Sequence, residues 1–377
     1  SDLLQTSRYR RFLADLEFIY LFYAFMEVSM TQKKIAILGA GAIGSTIGGF
    51  FAKNRVKSTL IDIWPENVQQ IKSNGLRVTT MEDEFVAHPS VLHISDVSSS
   101  GDSYDIVILA VKSYDTEWAT HFIKPYLNHG SYVISAQNSI NDDRIAAILG
   151  WTRVIGAVVT YGAGIYEPGH VNYTSPKERT PFILGELNGL ITPRIDEAVN
   201  LLNNVSEGGV KSTSNLWGER WSKLCVNSMA NAVAGVTGLI SSELREVESS
   251  RLISIRIAAE VVQVALANGV DVQPISGVPP QMYVDAVSDE SIMGEVEDIL
   301  MSGAKEIGIG RPSLAQDLLK GRKIEVDYLN GYVSQKGSEL GIPTPVNDAI
   351  RELAHRVARK EIEPSVENLE LINLSSL

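Results

Sequence analysis

The chain has 377 residues, 44% of them apolar, and a net charge of −12 from 33 Lys and Arg against 45 Asp and Glu. That length suits two domains of about 100–200 residues, and an acidic, evenly mixed surface without a basic stripe argues against a nucleic-acid binder. The single cysteine, Cys225, excludes an intrachain disulfide and fits a reducing, cytoplasmic compartment, and no apolar run reaches the ~18 residues of a membrane-spanning helix.

Residues 1–29 differ in texture from the rest. Tyr9-Arg10-Arg11 precedes the apolar run Phe18 to Met26, which Glu17 and Glu27 flank. A secretory signal has this order of charge and apolarity, but no small-residue cleavage site follows. The segment reads as an extension outside the fold, and a helix laid on a partner or a membrane surface is the alternative.

From Lys33 onward the pattern is regular. Lys33–Gly39 reads as a buried parallel strand, Ile43–Lys53 as a helix and Ser58–Ile63 as a second strand. Pro65 opens another helix. Alternation over Arg77–Ile94 predicts strands, and Asp105–Val111 a deeply buried one. A helix over Thr116–Leu127, a strand over Tyr132–Ala136, a helix over Asp142–Leu149 and a strand over Val154–Thr160 follow. Tyr161–Gly169 reads as turns, with strands at Val171–Tyr173 and Pro181–Gly185. Strands alternating with helices predict an α/β fold, a Rossmann-type doubly wound parallel sheet over residues 30–213. From 214 to 377 helical periodicity dominates, with helices expected at 216–236, 242–268, 290–302, 325–338 and 346–360. This part reads as a mainly α-helical C-terminal domain for substrate and catalysis. Residues 268–312 are rich in Pro and Gly and must contain loops, a candidate cover for a cleft.

Gly39-Ala40-Gly41-Ala42-Ile43-Gly44 follows a strand and opens a helix, the context that G-x-G-x-x-G needs to bind a dinucleotide. The first glycine makes the turn, the second lets backbone approach a pyrophosphate, and the third allows close helix–strand packing. The free N–H groups and dipole of the helix start favour the anion. A glycine-rich turn without a ligand is the plainer reading. Asp62 ends the second strand, where a carboxylate accepts hydrogen bonds from the ribose hydroxyls of NAD and repels a 2′-phosphate. No Lys or Arg follows until Lys72, so NAD(H) is favoured over NADP(H). A simple turn aspartate before Pro65 remains the alternative.

In Trp221–Val236, Lys223, Asn227 and Asn231 recur every four residues and share one helix face among apolar neighbours. Buried unpaired amides and ammonium groups are costly, so such a stripe faces a cleft, a partner or water. Amides favour the cleft over a wet face, which long charged residues would more commonly cover. Cys225 lies off this face and reads as core packing. Trp217 and Trp221, four apart, read as packing between domains.

Together these residues carry a family resemblance. The chain resembles the ketopantoate reductases (2-dehydropantoate 2-reductases) from about Lys33 to Lys360. The pieces stand in family order: GAGAIG at 39–44, AVKSYDT at 110–116, QNS at 137–139, EPGHV at 167–171, RWSKLCVN at 220–227 and RPSLAQDLLKGRKIEVDYLNG at 311–331. The resemblance implies an active site between the two domains and hydride transfer from NAD(P)H to the ketone of a 2-oxo acid. It implies Lys223 as general acid and Glu325 as its acidic partner in positioning lysine and substrate. It implies Lys112 and Asn138 near the nicotinamide, and Asn227, Asn231 and Ser313 as substrate ligands. Family members commonly prefer NADPH, against the reading of Asp62, and are often homodimers. Two positions depart from the family pattern. Ser139 stands where glycine is usual, and Ser241-Ser242 where Asn-Gly is common, which leaves Ser241 as a shorter substrate ligand. These departures put the substrate in doubt more than the reaction.

The chemistry suits those roles. Hydride addition leaves an alkoxide that a nearby ammonium stabilises and protonates. An unperturbed lysine titrates at ~10.4, so burial should depress Lys223. A close Glu325 would oppose that shift. None of the six histidines stands at metal-ligand spacing, so no metal is expected. Glu295, Glu297 and Asp298 read as a solvated face, and Ser313 lacks the G-x-S-x-G elbow of a serine hydrolase. A β-hydroxyacid or other alcohol dehydrogenase on the same scaffold, and a non-catalytic NAD(H) sensor, are the rival functions.

Overall fold

The computed structural model describes residues 33–304 and 310–372; the extension at 1–29 lies outside them. Eight strands form the main sheet in the order β12-β11-β8-β7-β6-β1-β2-β5. They are β1 (Ile35–Leu38), β2 (Thr59–Asp62), β5 (Ser90–His93), β6 (Tyr104–Leu109), β7 (Leu127–Ser135), β8 (Val154–Val159), β11 (Phe182–Glu186) and β12 (Lys211–Ser212). All neighbours run parallel except β8 and β11. The chain winds outward from β1 through β2 to β5, then returns to β6 on the other side of β1. The carboxyl ends of β1 and β6 therefore flank a topological switch point, the place where open α/β sheets form a crevice.

The sheet forms because its central strands have no polar face. β1 and β8 are buried throughout, and β6 is apolar from Ile106 to Leu109. Side chains of alternate residues feed two apolar clusters, one on each face of the sheet. A second, smaller sheet has the order β4-β3-β10-β9, with β3 (Leu76–Thr79), β4 (Glu84–Ala87), β9 (Ala163–Glu167) and β10 (His170–Tyr173). Two expectations change here. The strands foreseen over Arg77–Ile94 divide between the two sheets. Tyr161–Gly169 contains a strand, because Ile165 pairs with Val171 although Gly162 and Gly164 hide the alternation. The helix expected to reach Leu127 stops at Ile123, since Pro125 cannot continue it and lies in the 3-10 turn Lys124–Tyr126.

Beyond β12 the chain is helical around a third cluster. Its axis is the helix Leu216–Thr237, capped by Asn215, whose Oδ1 accepts from the Gly218 N–H at 3.0 Å, and closed by left-handed Gly238. The helix Glu248–Ala267 packs beside it. The helix expected over 242–268 breaks at Val247, which is extended, and the one over 325–338 breaks at Leu329. The Pro- and Gly-rich stretch holds the helices Pro280–Ala286 and Glu290–Ser302, which pack near Glu248–Ala267. Glu297 is not simply solvated: it pairs with Arg251 at 2.7 Å, while Glu295 and Asp298 are exposed. Trp217 touches two core clusters, whereas Trp221 is buried within the helical one. Cys225 is fully buried, and burial pushes its thiol up.

One ion pair fixes the long helix on the sheet. Arg220 is buried and donates to Asp142 Oδ1 at 2.7 Å, and to the carbonyls of Ser135, Gln137 and Ala157 at 2.9–3.1 Å. Removing one partner strands a buried charge. Arg220→Leu is expected to cost about 3–5 kcal/mol in urea unfolding, and Arg220→Leu/Asp142→Leu to regain most of it. Equal midpoints for wild type and the single variant would show that the pair carries no such weight.

Candidate active site

The glycine turn leaves β1 at the switch point. Gly39 has φ +100° and donates its N–H to Ile61 O at 2.8 Å, so the turn is hooked to β2. A Cβ on Gly44 would meet Gly39 O at 1.8 Å, which makes glycine obligatory for the helix to start so close to the strand. A Cβ on Gly41 would meet nothing within 4 Å, so the turn is open on its outer side. The helix Ala42–Lys53 has no acidic residue in its first turn and no side-chain cap. Free N–H groups facing open space fit a pyrophosphate.

Asp62 ends β2 beside this turn. Its Oδ1 accepts from the Ile63 and Trp64 N–H groups at 2.7 and 3.4 Å, and among the described residues Oδ2 accepts from Asn67 Nδ2 alone, at 3.3 Å. Burial outweighs these bonds and raises its carboxyl above the ordinary value. Asp62 therefore serves as a turn aspartate and also keeps one oxygen lightly engaged.

Past β6, Lys112 meets two buried carboxylates from the helical part. Its Nζ lies 2.5 Å from Asp317 Oδ2 and 2.9 Å from Glu325 Oε2. Burial alone would lower its pKa, but the two carboxylates reverse this and raise it. Glu325 Oε1 also accepts the Ser113 N–H at 2.8 Å, and with Lys112 this outweighs desolvation and lowers its carboxyl. Desolvation prevails at Asp317, which is raised despite Lys112. Glu325 thus binds Lys112, and no hydrogen bond links it to Lys223 among the described residues.

Lys223 is different. Half-buried on the long helix, it forms no ion pair or hydrogen bond with the described residues. Burial pulls its ammonium down to about 8, with a smaller push from the charge of Arg179. One turn on, Asn227 Nδ2 donates to Asn138 Oδ1 at 3.3 Å, joining helix to sheet. Asn231 Nδ2 donates to Asn227 O, and its Oδ1 accepts from Ser313 Oγ at 3.0 Å and the Leu314 N–H at 3.2 Å. Both amides are buried, which removes the wet-face alternative. Ser241 stands apart, donating its hydroxyl to Gly310 O at 2.6 Å.

Four contributors were missed from the sequence. Asp317 and Arg220 each interrupt an apolar helical stretch with a charge, a signal that was available in RPSLAQDLL and RWSKLCVN. Asn141 donates to Asn138 O at 2.8 Å and Arg144 to Ser113 O at 2.9 Å, which together fix this turn. Neither shows a sequence signal. Among the described residues, no group of three His, Cys, Asp or Glu could hold a metal ion, and no helix is long and apolar enough to cross a membrane.

The switch-point glycine turn is open to an anion, as an NAD(P)-dependent oxidoreductase acting on CH–OH groups requires. The comparisons agree. The family model "Ketopantoate reductase PanE/ApbA" matches residues 35–189, and its C-terminal counterpart matches 215–358. The 2-dehydropantoate 2-reductase of Lactococcus lactis subsp. lactis is 29% identical over 326 residues, covering 85% of this chain and 97% of that one. A PanE/ApbA family ketopantoate reductase from Ralstonia eutropha superposes with TM-score 0.71 at 28% identity, covering 87% and 99% of the two chains. D-mandelate dehydrogenase, solved with NADH and anilino(oxo)acetate, superposes with TM-score 0.74 at 26% identity over the same shares. The chain belongs to the ketopantoate reductase family.

Ser139 explains itself in this setting. It has φ +68°, a left-handed conformation that glycine adopts freely, and its hydroxyl donates to Tyr328 O. Ser139→Ala keeps the strained backbone and loses the bond, whereas Ser139→Gly loses the bond and releases the strain. The glycine variant is expected to be more stable than the alanine variant by about 1 kcal/mol in thermal or urea unfolding. Equal stabilities would remove backbone strain from the account.

Proposed function

We propose that this chain reduces the ketone of a 2-oxo acid with a nicotinamide dinucleotide, converting 2-dehydropantoate to pantoate, with Lys223 as general acid. One observation carries the reading: Lys223 lies on the helix face that reaches Asn138 and has no carboxylate partner among the described residues, so burial pulls its ammonium down to about 8.

In this reading the turn Gly39, Ala40, Gly41, Ala42, Ile43 and Gly44 holds the pyrophosphate through its free N–H groups at the helix start, with the Gly39 N–H kept by Ile61 O, and Asp62 takes ribose hydroxyls through Oδ2, favouring NAD(H). Lys112 and Asn138 line the nicotinamide side. Glu325 acts by holding Lys112 in place. Asn227, Asn231 and Ser313 bind the substrate carboxylate and hydroxyl through directional hydrogen bonds, whereas Ser241, whose hydroxyl is given to Gly310 O, acts on the site only through that segment. The bound reduced nicotinamide supplies the hydride that adds to the ketone carbon. Lys223 stabilises the negative charge growing on the carbonyl oxygen and gives it a proton. In the reverse direction it removes that proton.

A second reading keeps the residues and changes the substrate to a bulkier 2-oxo acid. The likeness to D-mandelate dehydrogenase supports it. Steady-state rates with NADH and NADPH separate the two. Turnover of 2-dehydropantoate above ~10⁴ M⁻¹s⁻¹ is expected. Turnover of phenylglyoxylate alone would favour the second reading, and turnover of no keto acid would overturn both.

Lys223 works in its protonated form. Because its folded pKa is near 8, the reduction rate should be flat below about pH 8 and fall about tenfold per unit above it. Lys223→Ala should lower kcat by about 10²–10⁴ with cofactor affinity unchanged. Full activity in that variant would remove Lys223 from the chemistry.

A further inference from the structure

The end of β2 carries no cation of its own, since no Lys or Arg lies between Asp62 and Lys72. The fold brings one there from the helical part. The segment Lys320–Lys323 lies back against the sheet half and sets three cations on three aromatic rings. Lys320 Nζ is 4.1 Å from the Tyr166 ring centroid, Lys323 Nζ is 4.8 Å from that of Tyr114, and Arg322 Cζ is 5.3 Å from that of Trp64. Trp64 is the residue whose N–H reaches Asp62 Oδ1, and it opens the helix Pro65–Asn74. The guanidinium of Arg322 thus lies over the ring of the residue whose backbone N–H closes the Asp62 turn.

The segment is tied on both sides. Arg322 donates its backbone N–H to Asp317 O at 2.8 Å, and the Asp317 carboxylate takes Lys112. Glu325, three residues on, takes Lys112 and the Ser113 N–H. Between these ties the Arg322 side chain is exposed and forms no carboxylate pair among the described residues. A guanidinium seated over an indole without a carboxylate partner keeps N–H groups available, and its planar fork matches phosphate oxygens two at a time. Asp62 opposes it only in part, because Oδ1 is committed to two backbone N–H groups.

We propose that Arg322, supplied by the helical part and seated on Trp64, is a second determinant of cofactor choice that receives the adenosine 2′-phosphate of NADP(H). The inference rests on the dinucleotide reading above. Asp62 and Arg322 then pull in opposite directions, and the chain uses NADPH as well as NADH.

The test is dissociation constants for NADPH and NADH, with kcat/KM for each, on the full chain and its Arg322→Ala, Arg322→Lys and Trp64→Leu variants. Losing a charge-assisted hydrogen bond weakens binding roughly tenfold or more. Arg322→Ala should therefore weaken NADPH by about that factor and leave NADH within about threefold. Arg322→Lys should recover part of the NADPH affinity, and Trp64→Leu should lose part of it. The KM for the 2-oxo acid should not move. Equal losses for both cofactors, or unchanged NADPH affinity in Arg322→Ala, would overturn the proposal alone. A wild-type chain that binds neither dinucleotide would overturn the functional reading and this proposal with it.

Discussion

A guanidinium buried between sheet and helix decides where the rest of the site can lie. Arg220 donates to five acceptors: the Ser135, Gln137 and Ala157 carbonyls and the Ser135 hydroxyl around β7 and β8, and Asp142 at the start of the helix that follows β7. Burying such a charge is costly, and the Asp142 carboxylate with three carbonyls offsets the cost only in one placement of the helix. That placement sets both rotation and height. Residues 223, 227 and 231 follow Arg220 at roughly helical spacing, so the polar stripe is turned toward the sheet ends and not toward water. Asn227 then reaches Asn138, and Asn231 receives Ser313.

The two lysines of the site show how environment assigns opposite properties to one side chain. Lys112 stands between two buried carboxylates and stays charged; it behaves as a fixed bolt across the sheet and helical parts. Lys223 is desolvated without such a partner, so its proton is held loosely. Had Glu325 bonded to Lys223, its ammonium would have been raised like that of Lys112. Glu325 takes Lys112 and the Ser113 N–H, and among the described residues no carboxylate bonds to Lys223, so burial, with the smaller push from Arg179, sets the direction of its shift.

Local features of the fold were legible in the sequence wherever they depended on one stretch of chain. The apolar patterns over Lys33–Gly39 and Asp105–Val111 announce central strands, the glycine turn announces its own geometry, and the four-residue repeat of Lys223, Asn227 and Asn231 announces one face. What stayed hidden depended on pairing. Lys112 meets Glu325 across 213 residues of chain, and no periodicity encodes that partner. Proline also misled the reading. Pro280 opens a helix at its first turn, where a missing N–H costs nothing, although within the loop-rich stretch 268–312 proline reads as a breaker. The breaks at Val247 and Leu329 left the apolar spacing intact and so left no mark in the pattern.

The departures from the family pattern also separate once their geometry is known. Ser139 occupies a left-handed position with its hydroxyl bound to Tyr328 O, so its difference from glycine concerns the backbone and not the substrate. Ser241 is another matter. Its hydroxyl and its N–H both reach Gly310 O, and Arg311 donates from the same segment to Gly238 O. That segment runs directly into Ser313, whose hydroxyl meets Asn231. A shorter side chain at 241 therefore acts on the site by drawing residues 310–313 toward the end of the long helix. Substrate size, in the proposed reaction, would depend on that segment's position more than on any single group that touches the oxo acid.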